Sequence, residues 1–308
     1  MRNGKLPVVL MVALKKNSPV IDFSVHVDNR NIDSHRLCVL FDSEIASKFS
    51  IADHQFGLIR RPVVLEKEMA LWDAHQEQWN EFPIAIETCQ IFVDLENGKR
   101  GVAVIPKGVR EYEIVGENFD MIRLTLLRTC GHMGKENLIY HPGRASDETV
   151  IETPDAQCHK IMEFPFSAYY FQGSVNEGKV ANVAKQALTP VQVYQLADFL
   201  NSRLIFTLSS DDVPQTLPVS YSLFETLGEL ILSVVKKAEE RKGIIFRLYN
   251  GNMQNVLSEK LTFFRDVRCA ELVDLKGETK APLKVEDGEV LIDGVGHSKF
   301  VTAYVELE

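Results

Sequence analysis

The chain has 308 residues, of which 45% are hydrophobic and 25% charged, a composition that is ordinary for a folded globular protein of one or two domains. Its formal net charge of −9 excludes the global positive field that favours nucleic acid or an anionic membrane surface as a partner. No apolar stretch approaches the roughly 20 residues that a membrane-spanning helix requires, so neither nucleic acid nor a membrane is expected as a partner.

Two apolar runs near the N-terminus predict a β-hairpin. Residues 6–14 and 20–27 flank the turn-forming sequence Asn-Ser-Pro at 17–19, and the second run alternates apolar and polar residues as a half-buried strand does. The alternative is a secretory signal, because basic residues precede the first run. Lys15 and Lys16 follow that run directly, in place of a small-residue cleavage site, which favours the hairpin.

Short apolar or alternating runs continue along the chain and predict a mainly antiparallel, all-β fold. Between them, glycine and asparagine at 96–98 and 116–118 supply the positive φ angles that tight turns need. The predicted strands lie at 37–41, 84–93, 101–105, 112–115, 121–127, 230–237, 244–249, 290–292 and 300–307.

The segment 230–237 has two interpretations. It runs into a charged stretch with good helix propensity, which favours a helix. However, Leu230, Leu232 and Val234 fall on one parity, and a Lys-Gly turn leads into the apolar run 244–249. Two apolar runs around a polar turn that ends in glycine favour a hairpin.

One short helix is predicted near 189–200, with Thr189 as its N-cap and Pro190 at its first helical position. At this point a β-rich body gives way to a helix and a second set of strands. The change predicts two domains, 1–188 and 189–308. A large antiparallel β-sandwich followed by a smaller β-sandwich fits this layout.

The cysteines are odd in number, scattered, and form no CxxC pair. This pattern favours free thiols in a reducing compartment over a disulfide framework, and therefore predicts a cytoplasmic protein. The five cysteines are Cys38, Cys89, Cys130, Cys158 and Cys269.

Two groups of chemically active residues are weak candidates for catalysis. Cys158 and His159 could form a nucleophile pair, but neighbouring residues on a strand point to opposite faces, which favours a loop and the start of a strand. Cys130 and His132 provide too few ligands for a zinc site. Glycines at two points of the stretch 130–134 let the backbone turn tightly.

The stretch 124–157, LTLLRTCGHMGKENLIYHPGRASDETVIETPDAQ, is typical of a buried strand followed by a glycine-punctuated loop and a polar loop. It resembles the C-terminal β region of family 38 glycoside hydrolases, the zinc-dependent α-mannosidases, and the bacterial branch that includes mannosylglycerate hydrolase. Four further segments agree with the family in the same order, and collinear matches are more specific than one short motif. They are DNRNIDSHRLCVLF (28–41), DHQFGLIRRPV (53–63), GVAVIPKGVREYEI (101–114) and IIFRLYN (244–250).

This resemblance implies a large sandwich of the galactose-mutarotase-like supersandwich type, inside which the chain begins, and a catalytic barrel that is absent from it. The complete enzyme is implied to hydrolyse α-mannosidic bonds with retention, using a carboxylate nucleophile, an acid/base carboxylate and a zinc ion. None of these groups maps onto this chain. We therefore expect no catalytic residue, no metal and no cofactor here, and no activity from this chain alone.

The implied partners are an α-mannoside at a shared cleft and the barrel, on another domain or chain. This hypothesis predicts a large apolar edge near the N-terminal hairpin, where missing strands would pair, and makes a homodimer through that edge a further expectation. The alternatives are a stand-alone carbohydrate-binding or interaction module, and an autonomous enzyme of another class that uses Cys158 or a carboxylate pair.

The loop 140–144, Tyr-His-Pro-Gly-Arg, is the strongest candidate for a ligand-facing element, because such irregular loops carry function more often than strands do. In the resembled family a basic residue of this region reaches toward the substrate cleft. The family shows Arg-Pro-Gly where this chain has His-Pro-Gly. His141 and Arg144 are the candidate substrate contacts, since an arginine fork can bind a carboxylate or several sugar hydroxyls. An exposed loop arginine without a ligand is the alternative.

The matched segment 53–63 is expected to be mainly structural, with Phe56 buried, Gly57 turning the chain and Pro62 at a strand edge. A place on the rim of a cleft is the alternative for this segment.

The basic pairs 60–61 and 236–237 are expected on solvated faces. Trp72 and Trp79 are expected to cover the core beneath a polar segment rather than to form a sugar-binding surface.

Overall fold

The computed structural model describes residues 4–78, 81–134, 151–193 and 219–308. Within these ranges the chain consists mainly of antiparallel strands, with two short helices and one 3₁₀ turn, which confirms the predicted all-β class. The chain divides into two compact units, formed by residues 1–188 with 251–254 and by residues 189–250 with 255–308.

The first unit contains two sheets. Its strands are β1 (Val8–Leu14), β2 (Ile21–Asp28), β3 (Arg36–Asp42), β4 (Phe49–His54), β5 (Gly57–Pro62), β6 (Ile86–Thr88), β7 (Val93–Glu96), β8 (Arg100–Pro106), β9 (Glu111–Val115), β10 (Met121–Arg128) and β11 (Ile161–Gln172). The larger sheet has the order β1-β2-β11-β8-β7-β4-β5, and the smaller one the order β3-β10-β9-β6. The helices are α1 (Glu66–Ala74) and α2 (Val180–Leu188), and the 3₁₀ turn is Pro154–Gln157.

The two sheets pack as a β-sandwich around one apolar core. Alternate residues point inward, among them Val102 and Val104 of β8 and Ile122 and Leu124 of β10. Phe166 of β11 is fully buried and packs on neighbouring aromatic rings, at 5.2–5.5 Å between centroids. Each fully buried side chain of this size contributes about 1.5–3 kcal/mol, so this core holds the sandwich together.

Helix α2 packs on the opposite face of the larger sheet, against β8 and β11. Its buried residues, Val180, Ala181 and Ala184, share one face at helical spacing. The helix predicted near 189–200 is not seen in the described residues; α2 ends before that range begins. Residues 189–193 are not helical, and 194–200 lie outside the described residues.

The single strand predicted at 84–93 is wrong. The chain forms β6 in the smaller sheet and β7 in the larger one, and crosses between them at 89–92. The buried carboxylate of Asp53 fixes this crossing, because its Oδ1 accepts the backbone N–H groups of Gln90, Ile91 and Phe92 at 2.9, 2.6 and 2.9 Å. Burial raises the pKa of Asp53, and these three N–H donors oppose that rise.

Two predicted hairpins are confirmed. Strand β1 pairs antiparallel with β2, so the first apolar run forms a strand of the predicted hairpin. In the second unit, β13 (Ile231–Lys237) pairs antiparallel with β14 (Ile244–Tyr249), so the hairpin interpretation of this segment was correct.

The second unit is a smaller sandwich. Its remaining strands are β12 (Phe224–Thr226), β15 (Leu257–Phe263), β16 (Val267–Val273), β17 (Thr279–Pro282), β18 (Lys284–Glu286), β19 (Glu289–Val295) and β20 (Phe300–Leu307). The sheets have the orders β12-β15-β19-β18 and β13-β14-β20-β16-β17. Buried side chains of both sheets, including Phe246, Leu261 and Ile292, form the core.

Helix α1 occupies the polar segment that contains Trp72, and no residue of this helix is buried. Trp72 is half-buried and packs edge-on against Phe82 at 5.0 Å between ring centroids. Trp79 lies outside the described residues.

The turn between β4 and β5 also differs from expectation. The positive φ angle of 58° falls on Phe56, which is half-buried, and not on Gly57. Pro62 ends β5, which is an edge strand of its sheet, as predicted. Neither helix in the described ranges combines the length and apolar character that crossing a bilayer requires.

Candidate functional site

The candidate loop 140–144 belongs to a connection whose two ends are held side by side. His141 and Arg144 lie outside the described residues, which stop at 134 and resume at 151. The N–H of Met133 donates to the carbonyl of Ile151, and the N–H of Thr153 donates to the carbonyl of Gly131, both at 2.9 Å. We call residues 131–134 and 151–157 the loop base.

The side chain of Gln157 ties the loop base to another matched motif, 28–41. Its Oε1 accepts the backbone N–H of Ser34 at 2.7 Å, and its Nε2 donates to Ser34 Oγ at 2.9 Å. The fully buried Asn29 donates through Nδ2 to the carbonyls of Gln157 and Cys158, at 2.9 and 3.1 Å. Two segments far apart in sequence therefore form one hydrogen-bonded structure.

Gly131 is required here by close approach rather than by an unusual φ angle. A Cβ atom at this position would lie 2.8 Å from Gln157 Nε2 and 3.4 Å from Ser34 Oγ. Because both atoms are held by hydrogen bonds, a side chain at 131 would disturb the link between the two motifs.

Cys158 and His159 do not form a nucleophile pair. Cys158 follows the 3₁₀ turn with a φ angle of 50°, and His159 Nε2 lies 2.6 Å from Asp33 Oδ1. The next strand begins only at Ile161. The interpretation as a loop and a strand start is therefore confirmed.

A cavity of about 230 Å³ lies at the loop base. Polar side chains among its lining residues are those of Asp33, Ser34, His132, Glu152 and Gln157. Carboxylate, hydroxyl, imidazole and amide groups can donate to and accept from the hydroxyls of a polar ligand. In the described part of the chain, no group of three or more His, Cys, Asp or Glu residues could hold a metal ion.

We predict that Gln157→Ala lowers the free energy of unfolding by about 1–3 kcal/mol, because it removes the buried side chain that binds both the N–H and the Oγ of Ser34. Urea unfolding measures the effect. Gln76→Ala is the control, since Gln76 is exposed and we expect a change within about 0.5 kcal/mol. Equal midpoints for the two variants would contradict a structural link through Gln157.

The second candidate region is strand β1, which ends the larger sheet and, within the described part of the chain, pairs with β2 alone. Every residue of β1 is exposed, and its sequence is Val-Val-Leu-Met-Val-Ala-Leu. An edge strand with unpaired backbone groups and exposed apolar side chains is a template for pairing with another strand. The apolar edge predicted near the N-terminal hairpin is therefore present, and we call β1 the open edge.

The register shows which face of the open edge continues the core. Leu10 lies opposite Val25 and Val12 lies opposite Phe23, so these side chains share the face of β2 that points into the sandwich. Leu10 is 55% exposed and Val12 58% exposed. The apolar face of the larger sheet therefore extends one strand beyond the part that is covered.

The smaller sheet also ends on this side. Its edge strand β3 contacts β2 through the rings of Phe41 and Phe23, whose centroids are 5.5 Å apart. Leu40 of the same strand is 56% exposed. In the described residues, β1 and β3 each have one edge without a neighbouring strand, so both sheets end on this side of the sandwich.

The other face of β2 is polar. Asp22 accepts hydrogen bonds from Ser167 Oγ at 2.6 Å and Lys107 Nζ at 2.9 Å, and Lys15 Nζ lies 2.8 Å from its Oδ2. Burial raises the pKa of Asp22, but its hydrogen bonds from Lys15, Ser167 and Lys107 outweigh burial and hold this pKa below its usual range. The face of β2 on the side of Val9 and Met11 is therefore polar, whereas its face on the side of Leu10 and Val12 belongs to the apolar core.

The basic pair 60–61 does not form a solvated face. The side chain of Arg61 is 13% exposed, donates to the carbonyl of Thr88 at 2.8 Å and pairs with Glu87 at 3.1 Å. The exposed Arg60 lies over the ring of Phe49 at 4.2 Å. Lys236 and Lys237 are exposed, as expected for the other pair.

Two family models match the chain. Residues 4–155 match the model of the glycosyl hydrolases family 38 C-terminal domain, and residues 229–303 match that of the family 38 C-terminal beta sandwich domain. A curated protein of Halalkalibacterium halodurans, named "Putative mannosylglycerate hydrolase", is 25% identical over 286 residues. That alignment covers 91% of this chain and 27% of the relative, so the chain spans about a quarter of the relative's length.

Two solved structures from Enterococcus faecalis share the fold. An alpha-mannosidase of strain V583 superposes with a TM-score of 0.72 at 20% identity, covering 96% of this chain and 28% of that one. A protein in glycosyl hydrolase family 38 gives a TM-score of 0.70 at 20% identity, covering 96% of this chain and 29% of that one.

Proposed function

We propose, from the premise that this chain carries the C-terminal domains of glycosyl hydrolase family 38, that it is the non-catalytic β region of an enzyme that hydrolyses α-mannosides. The observation that carries the proposal is the open edge. There the apolar side chains of β1 continue the inward face of the larger sheet but remain exposed. A catalytic barrel on another domain or chain, together with the strands that accompany it, is the partner that this edge fits. We propose domains at 1–188 and 189–308.

The chemistry is assigned to that barrel. Retaining hydrolysis needs two carboxylates close to the scissile bond, and the complete enzyme would also hold a zinc ion. The described residues of this chain do not fit a zinc ion, since they contain no suitable group of three ligands. This chain therefore contributes structure and contacts to the substrate rather than the reacting groups.

We propose that the connection carrying His141 and Arg144 reaches the α-mannoside at a shared cleft. Support comes from the loop base, whose two ends are hydrogen-bonded to each other beside a cavity that polar side chains help to line. The hydrogen bonds of Asn29 and Gln157 hold the base in place. Such rigid anchoring lets a loop position its side chains against a ligand.

The test is hydrolysis of 4-nitrophenyl α-mannoside with added zinc, first by the purified chain and then after its co-expression with a barrel-bearing polypeptide. We expect no turnover and no stoichiometric zinc for the chain alone, and zinc-dependent turnover for the assembly. Zinc-dependent turnover by the chain alone would overturn the proposal.

Arg144→Gln in the assembly should raise KM more than it lowers kcat, because Arg144 is proposed to bind substrate.

A stand-alone carbohydrate-binding module is the second candidate, and the cavity at the loop base favours it. It predicts saturable heat when mannose, a mannosyl-disaccharide or mannosylglycerate is titrated into the chain alone. Background heat for all three ligands would exclude this candidate for them.

A homodimer through the open edge and a cytoplasmic location are further parts of the proposal. The location is proposed because all five cysteines are free.

A further inference from the structure

The outer face of the five-stranded sheet in the second unit carries a cleft that the proposed function does not use. Its volume is about 220 Å³. Ile245 and Arg247 of β14 and Thr302 of β20 lie at its sheet side, and the turns 238–241 and 274–277 line it on either side. A concave site between two turns on a sheet can hold a small molecule.

Arg241 enters this cleft with one nitrogen unsatisfied. Its guanidinium carbon lies 3.5 Å from the centroid of the Tyr304 ring, and its Nη1 donates to Glu271 Oε2 at 2.8 Å. Its Nη2 is buried and has no hydrogen-bond partner among the residues described. The guanidinium of Arg241 is therefore held by Glu271 and the Tyr304 ring, and it adds positive charge at the wall of the cleft.

Arg247 is held in the same cleft by its neighbour. Its Nε donates to Thr302 Oγ1 at 3.2 Å, and Thr302 is itself buried. This bond orients the planar guanidinium and leaves its two Nη groups without an acceptor among the described residues. A pre-oriented guanidinium fork matches the geometry of an oxyanion.

The acidic residues of the cleft mostly have partners of their own. Glu239 accepts from Lys236 Nζ at 2.7 Å. Asp274 lies 3.0 Å from Lys280 Nζ and also accepts backbone N–H groups of its own turn. Within the described lining this leaves Glu240 as the carboxylate without a partner, against unsatisfied donors on Arg241, Arg247 and Lys276. The excess of donors selects a negatively charged ligand.

We propose that this cleft binds the carboxylate or phosphate group of a small molecule, with the Nη groups of Arg247 as the donors and with Arg241 adding positive charge at the wall. Lys276 adds positive charge at the rim. This site lies wholly within the second unit and is independent of the proposed mannoside hydrolysis.

The test is calorimetric titration of the full chain with sodium phosphate and, separately, with sodium acetate, against sodium chloride of matched ionic strength. We expect saturable one-site binding with a Kd of about 1 mM for the preferred anion. Tighter binding of phosphate identifies a phosphoryl ligand, and tighter binding of acetate identifies a carboxylate. Nε–Hε NMR signals of Arg241 and Arg247 should shift with the same saturation curve.

Arg247→Gln should weaken binding at least about tenfold, because it removes a charged bidentate donor. Arg268→Gln is the matched control, since Arg268 is 69% exposed, pairs with Glu306 and does not line the cleft; we expect less than about a twofold change. Lys276→Gln is a second variant at an exposed position of the rim, and we expect it to weaken binding because it removes a positive charge. No saturable binding of either anion, or equal affinity for Arg247→Gln and the parent chain, would overturn the proposal.

Discussion

Replacing Leu10 and Val12 together by lysine is expected to abolish association through the open edge while leaving the fold intact. Both side chains are more than half exposed, so the isolated sandwich loses little when they change. In an assembly they would be covered by added strands, and each lysine would then bring a charge into an apolar interface. We expect the affinity for the barrel-bearing partner, or for a second copy, to fall at least about a hundredfold.

Analytical ultracentrifugation and co-purification with the partner measure this effect. Val9→Lys with Met11→Lys is the matched control, because these residues lie on the same strand with similar exposure but on the polar face of the sheet. The control variant should associate more tightly than the Leu10/Val12 variant. A parent chain that is monomeric and binds no partner, or a Leu10/Val12 variant that associates like the parent, would contradict the role of the open edge.

The second large effect is expected at Asp94, where Asp94→Asn should stabilise the chain increasingly as pH rises. Asp94 lies on β7 between Ile51 of β4 and Ala103 of β8, and none of its surface is exposed. Neither carboxylate oxygen has a hydrogen-bond partner in the described chain. Burial, and then the nearby charge of Glu96, raises the pKa of Asp94 well above its usual range.

The sign of the pH dependence follows from this direction. Asp94 stays protonated in the folded chain but ionises in the unfolded chain above its ordinary pKa, so rising pH favours unfolding. The loss is about 1.4 kcal/mol for each pH unit between the unfolded and the folded pKa. Asparagine has a similar shape and does not ionise, so the variant lacks this loss.

Urea unfolding of parent and Asp94→Asn chains at pH 5, 6, 7 and 8 tests the prediction. The difference in unfolding free energy should be smallest at pH 5 and grow with pH. Asp73→Asn is the control, because Asp73 is exposed on helix α1 and should change stability by less than about 0.5 kcal/mol. A difference between parent and Asp94→Asn that is the same at pH 5 and pH 8 would show that Asp94 is not held neutral in the fold.

The fold class and most strands follow from the sequence because their signals are local. The alternation of apolar and polar residues in 20–27, with the polar turn before it, predicts β2 and its hairpin. Leu230, Leu232 and Val234 occupy every second position before a Lys-Gly turn, and this pattern predicts the hairpin of β13 and β14. In each case the partners are neighbours in sequence, so the period of side chains and the turn chemistry are sufficient. The family resemblance also rests on such segments, and the family models match the same regions.

Helices α1 and α2 were not predicted, for different reasons. No residue of α1 is buried, so it lacks the amphipathic stripe by which a helix is recognised. Helix α2 has only nine residues, and its small buried face is defined by contact with β11 and with β8, which lies far away in the sequence. Short helices depend on such packing more than on propensity.

The sequence by itself determined the β class, the hairpins, the family resemblance and the presence of an apolar edge near the N-terminus, since these depend on residue type and short-range order. Only the tertiary structure decided what long-range contacts control. Gln157 and Ser34 form hydrogen bonds at the loop base, and Asp53 fixes the crossing between the two sheets. The side chain of Arg61 is mostly buried and contacts Glu87 and a backbone carbonyl. The physical reason is that the residues next to a polar side chain in the sequence do not show whether it will be solvated or buried. Its hydrogen-bonding partner is brought to it by the packing of the whole sheet.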